Sequence, residues 1–379
     1  MRLTVLAFLL GIVFLQTCKK ERNPVSPPVT IKPDTTSHNF TFVIDTLGKH
    51  PDSVWVDPSI LWDVWVVNEN DVWVVGEINT LDTGFDSSGH FTPPYGAAHW
   101  NGEKWEYKRF YWNHGGENTS HSGFYGIWYF SPKNIWLATN WVFHCTDGVN
   151  LKLEYKSDIS KQEGIRKLWA ASENEIYGVG ARGLIVKYDG NSWTRMESGT
   201  DVDLLNVWGV KDKQTGQTHV FAAGSRGDRD YGVVLELKNG QWLHRFDAQH
   251  PIFGKEDDHT HPDAIWVYND SVYTTFAGYD NSYVVRHAFV AYENEFSITH
   301  KESQGAIMNI NGNALNDFFL VGYRDVVLHY NGRTFKKYFQ FPFIDAKYYS
   351  VKQKGDYVFA CGIIFASTKA IVLRGKRNK

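Results

Sequence analysis

The chain is expected to fold as an all-β, seven-bladed β-propeller built from four-stranded blades. Three observations predict this. A short unit occurs seven times, and four of the six intervals between its copies are 40–44 residues, the length of one propeller blade. Aromatic residues and Asx-Gly pairs return at similar places around each copy. Apolar residues alternate with period 2, and no segment has a convincing helical period.

The chain has 379 residues and opens with residues 2–15, a basic start followed by an apolar run broken only by Thr4 and Gly11. The run is too short to span a bilayer as a helix and suits the core of an export signal over residues 1–17. It ends in Leu15-Gln16-Thr17-Cys18, which resembles a bacterial lipobox. That resemblance implies lipidation at Cys18, with Gln16 bulkier than the pattern prefers. A plain secretory signal cleaved nearby is the alternative. Residues 18–39 contain Pro24, Pro27, Pro28 and Pro33 without apolar periodicity, and read as an extended tether. No other long apolar stretch exists, so no transmembrane helix is expected.

The propeller is expected over residues 40–379. The repeated unit is a polar or acidic pair, then apolar or aromatic residues, then a small residue. Asn70-Asp71-Val72-Trp73-Val74-Val75-Gly76 is the type example, and the copies close at residues 76, 139, 180, 224, 278, 322 and 362. About eleven residues before each closure stands Trp65, Trp128, Trp169, Trp208 or Trp266, with Asn311 and Val351 in the last two copies. After each unit comes an apolar strand and then an Asx-Gly pair, as at Asn101-Gly102, Asp189-Gly190, Asn239-Gly240 and Asn331-Gly332, with Asp147-Gly148 a weaker form. Asx-Gly suits a two-residue hairpin turn. Each copy therefore supplies strands a, b, c and d. Large flat side chains would fill the wedges between blades. The last copy lacks strand d, while residues 40–45 form a spare strand before the first blade. Those residues are expected to complete the last blade and close the ring.

These residues resemble bacterial exported propeller repeats of the form W-x(n)-NDVWxVG-x(n)-HYDGxxW. They are loosely similar to photosystem-assembly-factor propellers and to sialidase-type Asp-box propellers. The strict Asp-box S-x-D-x-G-x-x-W is not met, because Asp189 and Gly190 are adjacent. No sialidase arginine set, acid and Tyr nucleophile can be mapped. The resemblance implies a fold and an exported address, not an activity.

With 39 Lys+Arg against 42 Asp+Glu, the charge balance offers no reason to expect nucleic acid. Hydrophobic residues make up 42%, enough for a packed core. Three cysteines are too few for a disulfide scaffold; Cys145 and Cys361 read as buried thiols or one disulfide.

In a propeller the b–c and d–a links share one face. The long segments 77–96, 112–123 and 247–263 all fall there, which points to a recognition surface. Around the channel mouth, b–c turns are expected to contribute Trp141, Arg182, Arg226, Tyr279, Asp280 and Arg324, a set able to stack on a sugar or bind an anionic group. Asp257, Asp258, His259 and His261, with Asp263 and His250 nearby, form a metal candidate without a recognised ligand spacing. His114, Glu117 and His121 are a second. Arg226-Gly227-Asp228 is an adhesion-like tripeptide read as coincidence. No nucleophile elbow, phosphate loop or zinc-peptidase helix is present.

The sequence thus predicts a lipid-anchored, monomeric binding or scaffolding module of the bacterial cell envelope, without cofactor. Its ligand would be a glycan or a protein on the long-loop face. The alternatives are a carbohydrate-active enzyme, hydrolase or lyase, acting at the channel mouth, and a structural hub of an envelope complex.

Overall fold

The computed structural model describes residues 35–48, 58–212, 215–225, 232–246, 261–269, 271–277, 282–288, 297–302, 305–338 and 344–379. The lipobox and most of the tether lie outside them. Asp34–Lys379 forms one compact unit. Among the described residues no helix is long and apolar enough to cross a membrane.

The unit is all-β. Six sheets are four-stranded blades, which corrects the expected seven. Their inner strands (a) are Ile60–Asn68, Ile165–Ser172, Leu204–Lys211, His261–Tyr268, Ile307–Ala314 and Ala346–Lys354. The sheet over residues 110–156 has six strands instead. Its first four run Gly126–Ser131, Asn134–Ala138, Trp141–Cys145 and Asn150–Lys156. The hairpin Phe110–His114 and Glu117–His121 then joins the outer edge, pairing parallel at Asn150↔Tyr111 and Leu151↔Trp112. The segment expected to be a face loop is therefore sheet. Trp112 of this hairpin packs on Trp141 and Phe143, and the pairing covers part of an otherwise open edge.

Phe40–Leu47 is the fourth strand of the last blade, antiparallel to Lys369–Arg377 from Phe40↔Arg377 to Leu47↔Ala370. N- and C-terminal strands thus close the ring in one sheet. Residues 36–39 reach this strand past the a–b turn at Asn316 and Asp317 and the c–d turn at Asn331. The described chain therefore enters on the face of the a–b and c–d turns.

Thr139 closes the second repeat, and the glycine that closes the others has a steric cause. A Cβ on Gly76, Gly180, Gly224, Gly322 or Gly362 would lie 1.7–2.0 Å from a backbone carbonyl oxygen at the start of its own blade's inner strand. Gly278 lies outside the described residues. Most Asx-Gly pairs do not make two-residue turns. Trp100↔Trp105, Tyr188↔Trp193 and Tyr330↔Phe335 are the last pairs before four-residue loops. There the side-chain oxygen of Asn101, Asp189 or Asn331 accepts from two following backbone N–H groups, an Asx turn. Only Asn239-Gly240, between Lys238 and Gln241, is a two-residue turn with both residues at positive φ.

Cys145 and Cys361 are buried free thiols in different sheets.

Candidate functional site: an axial funnel

The inner strands share a defect that builds the site. In the six four-stranded blades, the pairing of strand a with strand b slips by one residue near the start of strand a. The residue left unpaired is Trp62, Arg166, Leu205, Asp263, Met308 or Tyr349. Tyr125 takes the corresponding place before Gly126–Ser131, its N–H donating to Ala138 O at 2.8 Å. A β-bulge redirects a side chain. All seven residues line one cavity of about 290 Å³, together with Lys167, Asp203, Asn206, Asn309 and Lys347. The cavity sits at the beginnings of the inner strands. It therefore opens on the face of the d–a and b–c links, opposite to where the chain enters.

One wall is aromatic. Trp62 lies 4.4 Å from Tyr349 and 5.5 Å from Tyr125 between ring centroids. A cation stacks at each end of this arc: Arg166 4.6 Å from the Tyr125 ring centre, and Lys347 4.8 Å from that of Tyr349. Leu205 and Met308 supply apolar surface elsewhere in the lining. Burial pushes the Lys347 ammonium below the usual lysine range, and the field of Asp263 pulls it back.

Below the bulges lies a polar clasp. Asp63 Oδ1 accepts from Lys167 Nζ at 2.6 Å and Ser350 Oγ at 2.7 Å, and Asp63 Oδ2 accepts from Ile127 N at 3.1 Å. One carboxylate thereby ties its own blade to three other sheets. Three residues further along the strands comes an aromatic plug. Trp65 and Trp128 are 4.6 Å apart, and Trp128 and Trp208 6.1 Å. Lys352, not Val351, occupies the matching place in the last blade. Lys352 pairs across to Phe359 as Trp65 does to Trp73 and Trp208 to Phe221. Asn311 fills the place in the sixth repeat, where its Oδ1 accepts from Gln353 N at 3.1 Å.

The residues expected from sequence are distributed as follows. Arg182 and Arg324 hold the same b–c turn position, both left-handed at φ 59° and 57°. Arg182 lines a second cavity of about 300 Å³ that shares Arg166 and Asp203 with the funnel, and its N–H donates to Asp203 Oδ1 at 2.9 Å. Arg324 lies beside Tyr323. Trp141 packs in the aromatic layer under the 110–121 hairpin. Arg226, Tyr279 and Asp280 lie outside the described residues, as do Asp257, Asp258, His259 and the side chain of His261. Among the described residues no three His, Cys, Asp or Glu side chains are grouped to hold a metal. Burial pushes His121 below the usual imidazole range.

Sequence reading missed the funnel. Its signal was the residue three positions before each of Trp65, Trp128, Trp169, Trp208, Trp266, Asn311 and Lys352, but that position carries Trp, Tyr, Arg, Leu, Asp or Met. No shared residue type marks it, because the backbone bulge and not the side chain repeats.

No protein-family model and no curated protein matches the sequence. Solved structures do match in fold. A structure described as "YCF48 bound to D1 peptide" is 12% identical with a TM-score of 0.59, over 94% of this chain and 100% of that one. YCF48 from Cyanidioschyzon merolae is 14% identical with a TM-score of 0.55, over 87% and 98%. The WD40 propeller domain of Doa1 is 10% identical with a TM-score of 0.56, over 88% and 96%. At these identities the likeness is one of fold alone: the chain is a β-propeller.

Proposed function

We propose that this protein is an exported, lipid-anchored, non-catalytic binding module whose ligand seat is the axial funnel and whose ligand is a segment of another protein. The observation that carries this reading is the run of bulges that turns a side chain from every inner strand into one concave, partly aromatic cavity. The cavity lies on the face away from the entering chain, so a ligand there does not compete with that segment. The peptide-bound YCF48 structure supports a protein ligand by analogy of fold.

Panning a displayed peptide library on the full-length protein tests the reading. Peptides retained by the wild type and lost by Trp62→Ala and Tyr349→Ala would support it. Peptides retained equally by both variants would place the seat elsewhere. A glycan array run in parallel tests the sugar alternative with the same variants. For the address, Cys18→Ala should move the protein from the membrane fraction to the soluble fraction. A wild-type protein that is soluble already would end the anchor proposal.

A further inference from the structure

The funnel has an electrical asymmetry that its shape alone does not require. Arg166 and Lys347 bracket the aromatic arc, yet among the described residues neither side chain makes a hydrogen bond or an ion pair; each rests only on a tyrosine ring. The remaining charges nearby are differently placed. Lys167 is neutralised by Asp63 at 2.6 Å. Asp203 accepts from the Arg182 backbone. Asp263 is buried, and its field reaches Lys347 without an ion pair between them. Two cations therefore face one small cavity that Asp203 and Asp263 also line, and among the described residues no carboxylate is in contact with either cation. Concave protein surroundings strengthen any charge pair formed there. An arginine fork matches a carboxylate in a bidentate manner, and a flat ring finds Trp62 and the two tyrosines at stacking distance.

We infer that the funnel binds a carboxylate carried beside a flat ring, with the ring against Trp62 and the carboxylate between Arg166 and Lys347. This rests on the funnel being the ligand seat. The cavity, about 290 Å³, is at the small end of ligand sites. It has room for one side chain or one small acid rather than a long chain. The carboxylate could belong to a free aromatic acid or to the end of a peptide, and both present the same chemistry. Ligand binding would also supply Lys347 with the counter-ion that burial denies it. Affinity should therefore fall as pH rises toward deprotonation of Lys347.

The test uses the full-length protein in detergent, with tryptophan fluorescence and calorimetry as readouts. Four probes are compared with inorganic phosphate: phenylacetate, phenylacetamide, and an acetylated hexapeptide ending in phenylalanine, as free acid and as amide. The acids should bind at least tenfold more tightly than their amides, and more tightly than phosphate. The Arg166→Gln/Lys347→Gln double variant should lose that tenfold preference while its melting temperature stays within a few degrees of wild type. Tighter binding of phenylacetate would point to a small acid as source, and tighter binding of the hexapeptide acid to a chain end. Equal binding of acid and amide, phosphate binding as tight as phenylacetate, or a preference unchanged in the double variant would each overturn the inference. If the peptides bind regardless of charge but fail on Trp62→Ala, the funnel remains the seat and only its anion preference falls. If no probe or library peptide depends on Trp62, the seat itself is refuted.

Discussion

The ammonium of Lys352 lies 3.8 Å from the ring centre of Trp208 and 5.7 Å from that of Trp65. It occupies a position that five other inner strands give to tryptophan. A lysine thus enters the aromatic plug on the axis, and among the described residues it has no carboxylate in contact. Burial pulls its ammonium down to about 7, against the opposite pull of Asp63.

Lys352→Met should therefore stabilise the fold in neutral and acidic solution. Below pH 7 the wild-type lysine is charged in both states, and the folded state carries the full desolvation cost. Between pH 7 and the unfolded value near 10.5 the folded state holds fewer protons, so wild-type stability rises with pH. The variant should gain about 1–3 kcal/mol at pH 6, a gain that shrinks toward zero by pH 10.5. Urea titrations at both pH values measure it. A variant less stable than wild type at pH 6 would show that stacking on Trp208 outweighs desolvation.

Asp63→Asn should be costly. It removes the charge that Lys167 needs and weakens contacts to three other sheets. Breaking one side of a buried pair costs about 3–5 kcal/mol. The double variant Asp63→Asn/Lys167→Met should recover most of the loss, because no uncompensated charge remains. Equal melting temperatures for wild type and Asp63→Asn would refute the clasp.

Gly322→Ala should prevent folding or cost more than about 4 kcal/mol, since its Cβ would lie 1.7 Å from Ala306 O. Gly89→Ala is the control. Gly89 has φ +82° and open space around it, so only the left-handed strain of about 1–2 kcal/mol applies. Similar losses at both sites would mean that inner and second strands can separate.

The ring closure should weaken in mild acid. His38 Nδ1 lies 2.8 Å from His329 Nδ1, and His329 Nε2 lies 2.8 Å from Asp317 Oδ1. Arg377 and Gln353 also bind Asp317, and Lys336 faces His38. With His329 donating to Asp317, its Nδ1 accepts from His38, and protonation there removes the acceptor. Burial lowers His38 to about 4 and also lowers His329. Both sit below their unfolded value, so stability is full above pH 6.5 and is lost as pH falls from 6.5 toward 4. His38→Gln should flatten that fall by about 1–2 kcal/mol once solvent screening is allowed for. A wild-type melting temperature constant from pH 6.5 to 4.5 would contradict the latch.

Residue types with a single physical task were easy to read. Gly76 and Gly322 stand where a backbone carbonyl leaves no room for a Cβ. Residues 40–45 could only be a strand missing its partner. Trp65, Trp128 and Trp208 read as filler between blades, whereas they meet one another on the axis. The Asx-Gly pairs marked the right turns with the wrong geometry. Asn101 and Asp189 act by accepting two backbone N–H groups, and that lengthens the loop. The hairpin at 110–121 looked like loop because its polar tip hides a strand that needs another sheet's edge to pair with.

By itself, the sequence determined that this is an all-β repeat closed by its own N-terminal strand, because period, glycine and aromatic spacing are local properties. The tertiary structure decided the number of four-stranded blades and the place of the site. Trp62, Arg166, Asp263 and Tyr349 share no residue type and lie far apart in the chain. They meet only because the same backbone slip recurs in strands that ring closure brings to one axis.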